Sequence, residues 1–375
     1  DESLLTTSTL HAATMATIQD RIKEIEEELK KTEYNKATEK HIGLLKAKMS
    51  RLEIELMSQK KGGGEGFAIP KSGDSTVALV GFPNVGKSSI LNDLTSQMSE
   101  TGNFAFTTLK VVPGTMSYNG AQIQILDLPG IIENASVGSG RGREILSMVR
   151  NADLVVVVTD VQVKGVDRIV NELHRAGIVL NRRERNISIK RSNSGGIRIH
   201  KPRKVPVDDV QIREILKEFK ITNAEVFIRE NITSDDLIDH LKGHTVYIPG
   251  IFVVNKIDLP HRDEDIDDLR SMGRVIEVSA TTKAGIPQLK DEIYRALALV
   301  RVYLREKSGY VDLNRPMVLR NGAVVRDVVR KISREMLESF RYAILTGPQR
   351  KQAELRVGLD YDLMDGDIIT IISRN

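Results

Sequence analysis

The sequence contains no cysteine and no tryptophan, and only 4% of its residues are aromatic. The absence of cysteine excludes disulfide bridges, cysteine-ligated zinc, iron–sulfur clusters and thiolate catalysis. The few aromatic residues disfavour an aromatic stacking platform for single-stranded nucleic acid. The longest apolar runs, such as residues 154–158, are far shorter than the roughly 20 residues that span a bilayer. We therefore expect a cytoplasmic protein in a reducing setting, without membrane contact.

The length of 375 residues predicts two or three domains, each with its own core. The 55 Lys and Arg residues exceed the 51 Asp and Glu residues only slightly, which gives a formal charge of +4. Residues 1–14 lack the basic and apolar regions of a signal peptide. We expect them to form a disordered extension or a tag.

Two apolar stripes near the start of the chain predict a helical hairpin over residues 15–61. The polar faces of both helices are rich in Lys and Glu, which fits either a solvated two-helix arm or an arm that binds RNA or a partner. A glycine-rich linker, residues 62–75, follows the hairpin. The stripes comprise Ile18, Ile22, Ile25 and Leu29, and then Leu45, Met49, Leu52 and Leu56.

Short β-branched runs after residue 75 predict a doubly wound α/β domain with a parallel sheet. About ninety residues separate the third run from the fourth, where a crossover needs only a few tens, so a small α+β domain is inserted there. The domain is thus expected in two parts, 76–164 and 246–305, around an insertion at 165–245. The predicted strands are 76–80, 123–126, 154–159, 251–254 and 275–278.

Two β-hairpins are predicted outside the main sheet. In the insertion, alternating segments 186–190 and 196–200 flank a turn cluster. Near the C-terminus, segments 316–320 and 323–325 flank Asn321-Gly322, a strong two-residue turn. A helix carrying apolar residues from Val325 to Phe340 and strands at 342–345 and 367–372 complete a β-grasp-like domain, residues 306–375.

Residues 81–88 read Gly-Phe-Pro-Asn-Val-Gly-Lys-Ser and match the P-loop pattern G-x-x-x-x-G-K-[ST]. The segment follows a predicted strand and opens a helix, so backbone N–H groups and the helix dipole can hold phosphates. Lys87 is expected to reach the β- and γ-phosphates, and Ser88 to bind Mg²⁺. The candidate contacts are Gly81, Pro83, Asn84, Val85, Gly86, Lys87, Ser88 and Ser89.

Two further elements are expected beside the γ-phosphate. Asp127 and Gly130 form a D-x-x-G motif after a strand, where the carboxylate can hold Mg²⁺ and the Gly130 N–H can meet the phosphate. Thr107 and Thr108 lie between this motif and the P-loop, and one of them is expected to close over Mg²⁺. We favour Thr108, although the residues do not decide between the two.

Two motifs at later strand ends predict guanine recognition. The Asp258 carboxylate can accept hydrogen bonds from guanine N1–H and the exocyclic amine, a pair of donors that adenine lacks. Asn255 and Lys256 can brace the base and the P-loop. Ser279, Ala280 and Thr281 follow the next strand and can present an N–H to guanine O6. Four motifs in this order, each at a strand end, indicate a GTPase that binds GTP and GDP.

These residues resemble the Obg–HflX class of P-loop GTPases, and especially the developmentally regulated GTP-binding protein (DRG) family. The resemblance runs from about Met15 to the C-terminus. It implies a helix-turn-helix arm, a GTPase domain, an inserted domain similar to part of a ribosomal protein, and a C-terminal TGS domain. It also implies association with ribosomes and translation and, for eukaryotic members, dedicated regulatory proteins. The segments that carry it are 35–39, 44–48, 81–89, 106–109, 127–133, 138–143 and 223–226.

Slow intrinsic hydrolysis is expected, because many small GTPases orient the attacking water with a glutamine directly after D-x-x-G and this chain has Ile131 there. Related GTPases use an asparagine at the position of Asn84 to bind K⁺ beside the phosphates. We therefore expect Mg²⁺ and K⁺ to assist hydrolysis, with Lys87, Thr108, Gly130 and Asn84 in the catalytic set. Asn84 could instead only stabilise the loop, and Arg141 and Arg143 are rival charge donors.

Residues 181–204 concentrate nine basic side chains against the single acidic Glu184. This density favours contact with the phosphate backbone of ribosomal RNA over a merely solvated face. The histidines show no spacing for zinc. The leading interpretation is a monomeric, ribosome-associated GTPase switch that binds neither DNA nor membranes. The alternative is a nucleotide-sensing RNA-binding adaptor whose hydrolysis is incidental.

Overall fold

The computed structural model describes residues 2–59, 73–95, 97–98, 111–128, 140–203, 205–261, 264–306, 308–350 and 354–374. The helices, numbered along the chain, are α1 (Glu2–Lys31), α2 (Glu39–Gln59), α3 (Lys87–Leu94), α4 (Gly140–Arg150), α5 (Val166–Arg175), α6 (Asp209–Glu218), α7 (Ser234–Lys242), α8 (Glu264–Met272), α9 (Ile286–Ala296), α10 (Val325–Ile332) and α11 (Glu335–Ser339).

The strands are numbered in the same way. They are β1 (Ser75–Gly81), β2 (Gln97–Met98), β3 (Val112–Tyr118), β4 (Ala121–Asp127), β5 (Leu154–Asp160), β6 (Ile178–Leu180), β7 (Ile187–Arg191), β8 (Ile197–His200), β9 (Ala224–Ile228), β10 (Val246–Ile248), β11 (Gly250–Asn255), β12 (Arg274–Glu277), β13 (Leu299–Leu304), β14 (Met317–Arg320), β15 (Phe340–Thr346), β16 (Leu355–Val357) and β17 (Asp367–Ser373).

Contacts divide the chain into two compact units. One combines Asp1–Gly66 with Leu173–Tyr247, and the other combines Phe67–Glu172 with Ile248–Asn375. Most of the predicted linker, residues 62–72, lies outside the described part of the chain. No helix among the described residues has the length and apolar character needed to cross a membrane.

The second unit contains a seven-stranded sheet in the order β12-β11-β5-β1-β4-β3-β2. Strands β12, β11, β5, β1 and β4 are parallel and correspond to the five predicted strands. Strands β1 and β11 are buried along their whole length, as expected for a sheet covered on both faces. Helices α3 and α9 contribute to the core beneath the sheet, with Ile90, Leu91 and Leu289 fully buried. The carboxyl ends of the parallel strands therefore share one edge.

The C-terminal part of this unit is a five-stranded sheet in the order β14-β13-β17-β15-β16, packed on α10. The hairpin predicted around Asn321-Gly322 is wrong, because β14 pairs antiparallel with β13. Gly322 has a φ of +80°, and the Asp327 carboxylate accepts a hydrogen bond from the Val324 N–H at 3.0 Å. This cap starts α10 at Val325, so the turn leads into a helix. The predicted long helix is also interrupted: α10 ends at Ile332, and Phe340 begins β15.

In the first unit, the two predicted apolar stripes bury against each other between α1 and α2. Helix α1 spans Glu2–Lys31, so it includes residues 2–14, where we expected disorder. The opposite face of α2 packs on the inserted part of the chain rather than standing free. A Cβ on Gly43 would lie 2.7 Å from Gln211 Nε2, which shows how closely α2 approaches α6. Lys46 Nζ also donates to both carboxylate oxygens of Asp235, at 3.0 and 2.8 Å.

The inserted sheet has the order β7-β9-β8. The predicted hairpin between 186–190 and 196–200 is therefore wrong, because β9 lies between these strands, antiparallel to β7 and parallel to β8. Strand β9 alternates buried Ala224, Val226 and Ile228 with partly exposed residues. As the central strand, it satisfies its hydrogen bonds on both edges and extends the core above α6 and α7.

Candidate nucleotide-binding site

Motif residues that follow three strands of the main sheet line one cavity at the carboxyl ends of β1, β11 and β12. Its volume is about 570 Å³. Five further predicted residues are not among those that line it: Gly81 and Asp127 end β1 and β4, Pro83 and Val85 lie in the loop between β1 and α3, and Ser279 follows β12. Thr107, Thr108 and Gly130 lie outside the described residues. The lining residues are Asn84, Gly86, Lys87, Ser88, Ser89, Asn255, Lys256, Asp258, Leu259, Ala280 and Thr281.

Two glycines allow the loop between β1 and α3 to take its shape. A Cβ on Gly81 would lie 2.3 Å from the Val158 carbonyl oxygen of the neighbouring strand. Gly86 has a φ of +92°, and a Cβ there would lie 2.2 Å from Asn255 Nδ2. Both positions therefore exclude a side chain. The loop turns directly into the N-terminus of α3, where free N–H groups favour an anion.

Lys87 holds its ammonium group inside this loop. The residue is 9% exposed, and its Nζ donates hydrogen bonds to the carbonyl oxygens of Gly81 at 3.1 Å and Phe82 at 2.9 Å. A cation held by two backbone carbonyls inside a phosphate-binding loop is suited to bind phosphate oxygens.

Ser88 and Asp127 meet beside the loop. The Ser88 hydroxyl donates to Asp127 Oδ2 at 2.5 Å, and Asp127 is 8% exposed. A hydroxyl and a carboxylate are hard oxygen donors, and their convergence next to a phosphate-binding loop fits Mg²⁺. The two residues come from α3 and β4, 39 positions apart in the chain.

Asn255 joins the phosphate loop to the base-recognition loops. Its Nδ2 donates to the Val85 carbonyl oxygen at 2.9 Å, and its Oδ1 accepts from the Ala280 N–H at 3.1 Å. The side chain is 2% exposed. Lys256 makes a parallel link, since its Nζ donates to the Asn84 carbonyl oxygen at 2.8 Å and lies 3.4 Å from an Asp160 carboxylate oxygen. Asp160 carries no motif, and the sequence analysis did not identify it.

Asp258 is oriented by the buried Ser279. The Ser279 hydroxyl donates to Asp258 Oδ1 at 2.5 Å and accepts from the Thr282 N–H at 3.1 Å. The carboxylate is therefore held at the cavity wall, where it can receive a pair of base donors. Leu259, which is 48% exposed, lines the same wall and offers an apolar surface for a flat base. Leu259 was not predicted from the sequence, where its only sign is its position next to Asp258.

The basic residues of 181–204 do not form a single free surface. Arg183 forms a bidentate ion pair with Glu230. The Arg185 guanidinium lies 3.4 Å from a Glu230 carboxylate oxygen and 3.5 Å from an Asp236 carboxylate oxygen. The ion pairs with Arg183 and Arg185, together with the Asn186 N–H, lower the pKa of the Glu230 carboxyl. Lys201 Nζ lies 2.8 Å from an Asp209 carboxylate oxygen. Lys204 lies outside the described residues.

Comparison with known families agrees with this geometry. Residues 76–189 match the family model described as 50S ribosome-binding GTPase, residues 194–299 match the C-terminal region of the same domain, and residues 300–373 match the TGS domain.

Full-length relatives extend the match over nearly the whole chain. An uncharacterised GTP-binding protein of Methanocaldococcus jannaschii is 45% identical, covering 95% of this chain and 93% of the relative. Developmentally-regulated G-protein 3 of Arabidopsis thaliana is 40% identical, covering 96% and 100%. Developmentally-regulated GTP-binding protein 1 of Xenopus laevis is 40% identical, covering 94% and 98%.

Proposed function

The chain belongs to the DRG family of P-loop GTPases, and from that premise we propose that it is a ribosome-associated switch, driven by binding and hydrolysis of GTP. One observation supports the proposal that GTP binds here. Asn255 bonds to the phosphate loop through Nδ2 and to the Ala280 N–H through Oδ1, so the phosphate and base contacts form one connected site.

The chain's own residues account for substrate binding. The P-loop N–H groups and Lys87 bind and orient the phosphates, and Asp258 accepts from guanine N1–H and the 2-amine. The Ala280 N–H, which the sequence placed among the donors to guanine O6, donates instead to Asn255 Oδ1. The enzyme hydrolyses GTP to GDP and phosphate. We propose that Ser88 and Asp127 hold Mg²⁺, which when bound neutralises charge on the β- and γ-phosphates.

We also propose that Asn84 binds K⁺. The residue lines the cavity beside Lys87 and Ser88 and is exposed, while its own carbonyl is held by Lys256. Its φ of +63° places it in the left-handed region that asparagine tolerates. The side-chain amide oxygen is thus available to a cation at the edge of the phosphate loop.

Turnover should be about ten-fold faster in K⁺ than in Na⁺, because a cation beside the phosphates stabilises developing charge. Asn84→Gly removes the amide while keeping the left-handed backbone, so we expect it to turn over equally slowly in both salts. The measurement is phosphate release at matched ionic strength, with labelled-GDP affinity as the check on folding. Equal wild-type rates in the two salts would refute the K⁺ site.

Ribosome association is supported by the name of the matching GTPase family model and by the basic side chains of the inserted domain. A switch requires that the GTP and GDP states differ in affinity for their target. We expect co-sedimentation with ribosomes to be at least about five-fold stronger with a non-hydrolysable GTP analogue than with GDP, the smallest coupling typical of such effects. Equal ribosome binding with the GTP analogue and with GDP would favour the alternative, an adaptor whose hydrolysis is incidental.

A further inference from the structure

The sheet β7-β9-β8 of the inserted domain has one covered face and one open face. Helices α6 and α7 cover the first, where Ile187, Val226 and Ile197 are buried. The strand registers place two rows of side chains on the open face. The first row is Ser188, Phe227 and His200, and the second is Lys190, Glu225 and Arg198.

The centre of this open face is an aromatic pair surrounded by cations. The rings of Phe227 and His200 stack with centroids 4.7 Å apart and an interplanar angle of 10°. Lys190 Nζ and Arg229 Cζ each lie 5.8 Å from the Phe227 ring centroid. Lys190, Arg198, His200 and Arg229 are all exposed, whereas Phe227 is half-buried. The Phe227 ring is therefore anchored in the sheet surface, while the His200 ring and the charged groups face solvent.

The charge of the face is positive, with three permanent cations against the single carboxylate of Glu225. Arg198 lies 3.9 Å from Glu225, and Arg229 Nη1 donates to Asn186 Oδ1 at 3.0 Å. Ser188 pairs with Phe227 on the side opposite His200, and its short side chain cannot cover an aromatic ring. A flat group can therefore stack beside the Phe227 ring above Ser188, between Lys190 and Arg229.

We propose that this open face binds single-stranded RNA, with an unpaired base stacked on the Phe227–His200 pair and phosphates contacted by Lys190, Arg198 and Arg229. Stacking needs a base that is free of its own duplex, so paired RNA would meet only the cations. The low aromatic content of the chain is no obstacle, because one phenyl ring and one imidazole make the platform. The inference deepens the proposed ribosome association by naming unpaired RNA as the ligand.

The test measures affinity by fluorescence anisotropy, using the full chain at one fixed salt concentration. The probes are a labelled single-stranded RNA of mixed sequence and an RNA duplex of the same length. We expect Phe227→Leu to weaken single-strand binding about ten-fold, since base–aromatic stacking is lost while an apolar side chain remains. Duplex binding should change less than about two-fold. His200→Ala, at an exposed position, should also weaken single-strand binding selectively.

The charge contribution is tested by a double substitution with a matched control. Lys190→Gln with Arg229→Gln should weaken binding of both RNAs. When the titrations are repeated over a series of salt concentrations, the double variant should also show a smaller salt dependence of affinity. Lys217→Gln with Lys220→Gln removes the same charge from exposed positions at the end of α6 and just beyond it, and should change neither affinity. Labelled-GDP affinity and the midpoint of thermal unfolding verify that each variant is folded.

Two results would overturn the proposal: a wild-type chain that does not bind the single strand, or Phe227→Leu and His200→Ala variants that bind it as well as the wild type does. Co-sedimentation of the same variants with ribosomes distinguishes failure of the stacking site from failure of the proposed switch. If Phe227→Leu binds single-stranded RNA normally and ribosome binding still depends on the nucleotide, the switch stands and the stacking site is refuted. If Phe227→Leu weakens RNA binding but ribosome binding of the wild type does not depend on the nucleotide, the stacking site stands and the switch is refuted.

Discussion

Asp258→Asn is expected to transfer base preference from guanine to xanthine nucleotides. The Asp258 carboxylate can accept from both guanine N1–H and the 2-amine, whereas an amide offers one acceptor and one donor. Its donor would oppose the guanine 2-amine but match the 2-carbonyl oxygen of xanthine. Because a site with an unpaired buried polar group rejects the wrong ligand strongly, GTP affinity should fall at least about 100-fold. Affinity for xanthosine triphosphate should rise correspondingly.

Displacement of a fluorescent guanine nucleotide by GDP and by xanthosine diphosphate measures this exchange. Asp267→Asn is the control, because Asp267 is an exposed carboxylate on α8 that pairs with Arg270 rather than lining the cavity. Ser279→Ala keeps the Asp258 carboxylate but removes the hydroxyl that orients it, so it should weaken GTP binding without changing the base preferred. An Asp258→Asn chain that still prefers GTP would contradict the base contact.

The strands that carry the nucleotide site were predictable because buried strands have a recognisable apolar composition. Parallel strands covered on both faces become continuous apolar runs, as in β5 and β11. Strand β3 was missed because Pro113 and Gly114 interrupt the pattern, although the strand pairs antiparallel with β4. The motif spacing then located Lys87, Asp127 and Asp258, since each lies at the end of a strand or a few residues beyond it.

Strand partners were not predictable from local pattern. Alternation in 186–190 and 196–200 indicated two strands correctly, but their common neighbour β9 begins 24 positions after 200. Asn321-Gly322 does form a turn, yet the cap supplied by Asp327 converts the following residues into a helix. A turn motif describes a local conformation, whereas pairing depends on which distant strand completes the core.

Charge clustering was similarly incomplete as a guide to the surface that we propose for RNA. Arg183 and Arg185 both form ion pairs with Glu230, 47 and 45 positions away, which no local count of charges reveals. Phe227 and Arg229 lie outside the basic segment and were therefore overlooked. The sheet register brings them beside Lys190 and His200.

Ribosomes are expected to accelerate the hydrolytic step at least about 100-fold, because an element supplied in trans contributes that much or more in GTPases that lack part of the catalytic set. The residue after Gly130 is Ile131, whose side chain cannot orient water. Among the described lining residues, the ionisable side chains are already engaged: Lys87 by the loop carbonyls, Lys256 by Asn84 and Asp160, and Asp258 by Ser279.

The most direct test of a ribosome-coupled switch is single-turnover GTP hydrolysis with the chain in excess over labelled GTP, in the presence and absence of purified ribosomes. Reactions with ribosomes and the Lys87→Ala chain give the background from contaminating GTPases, since that chain lacks the phosphate-binding ammonium. We predict slow hydrolysis by the chain alone and a large, Lys87-dependent acceleration by ribosomes. The same rate with and without ribosomes would contradict the account.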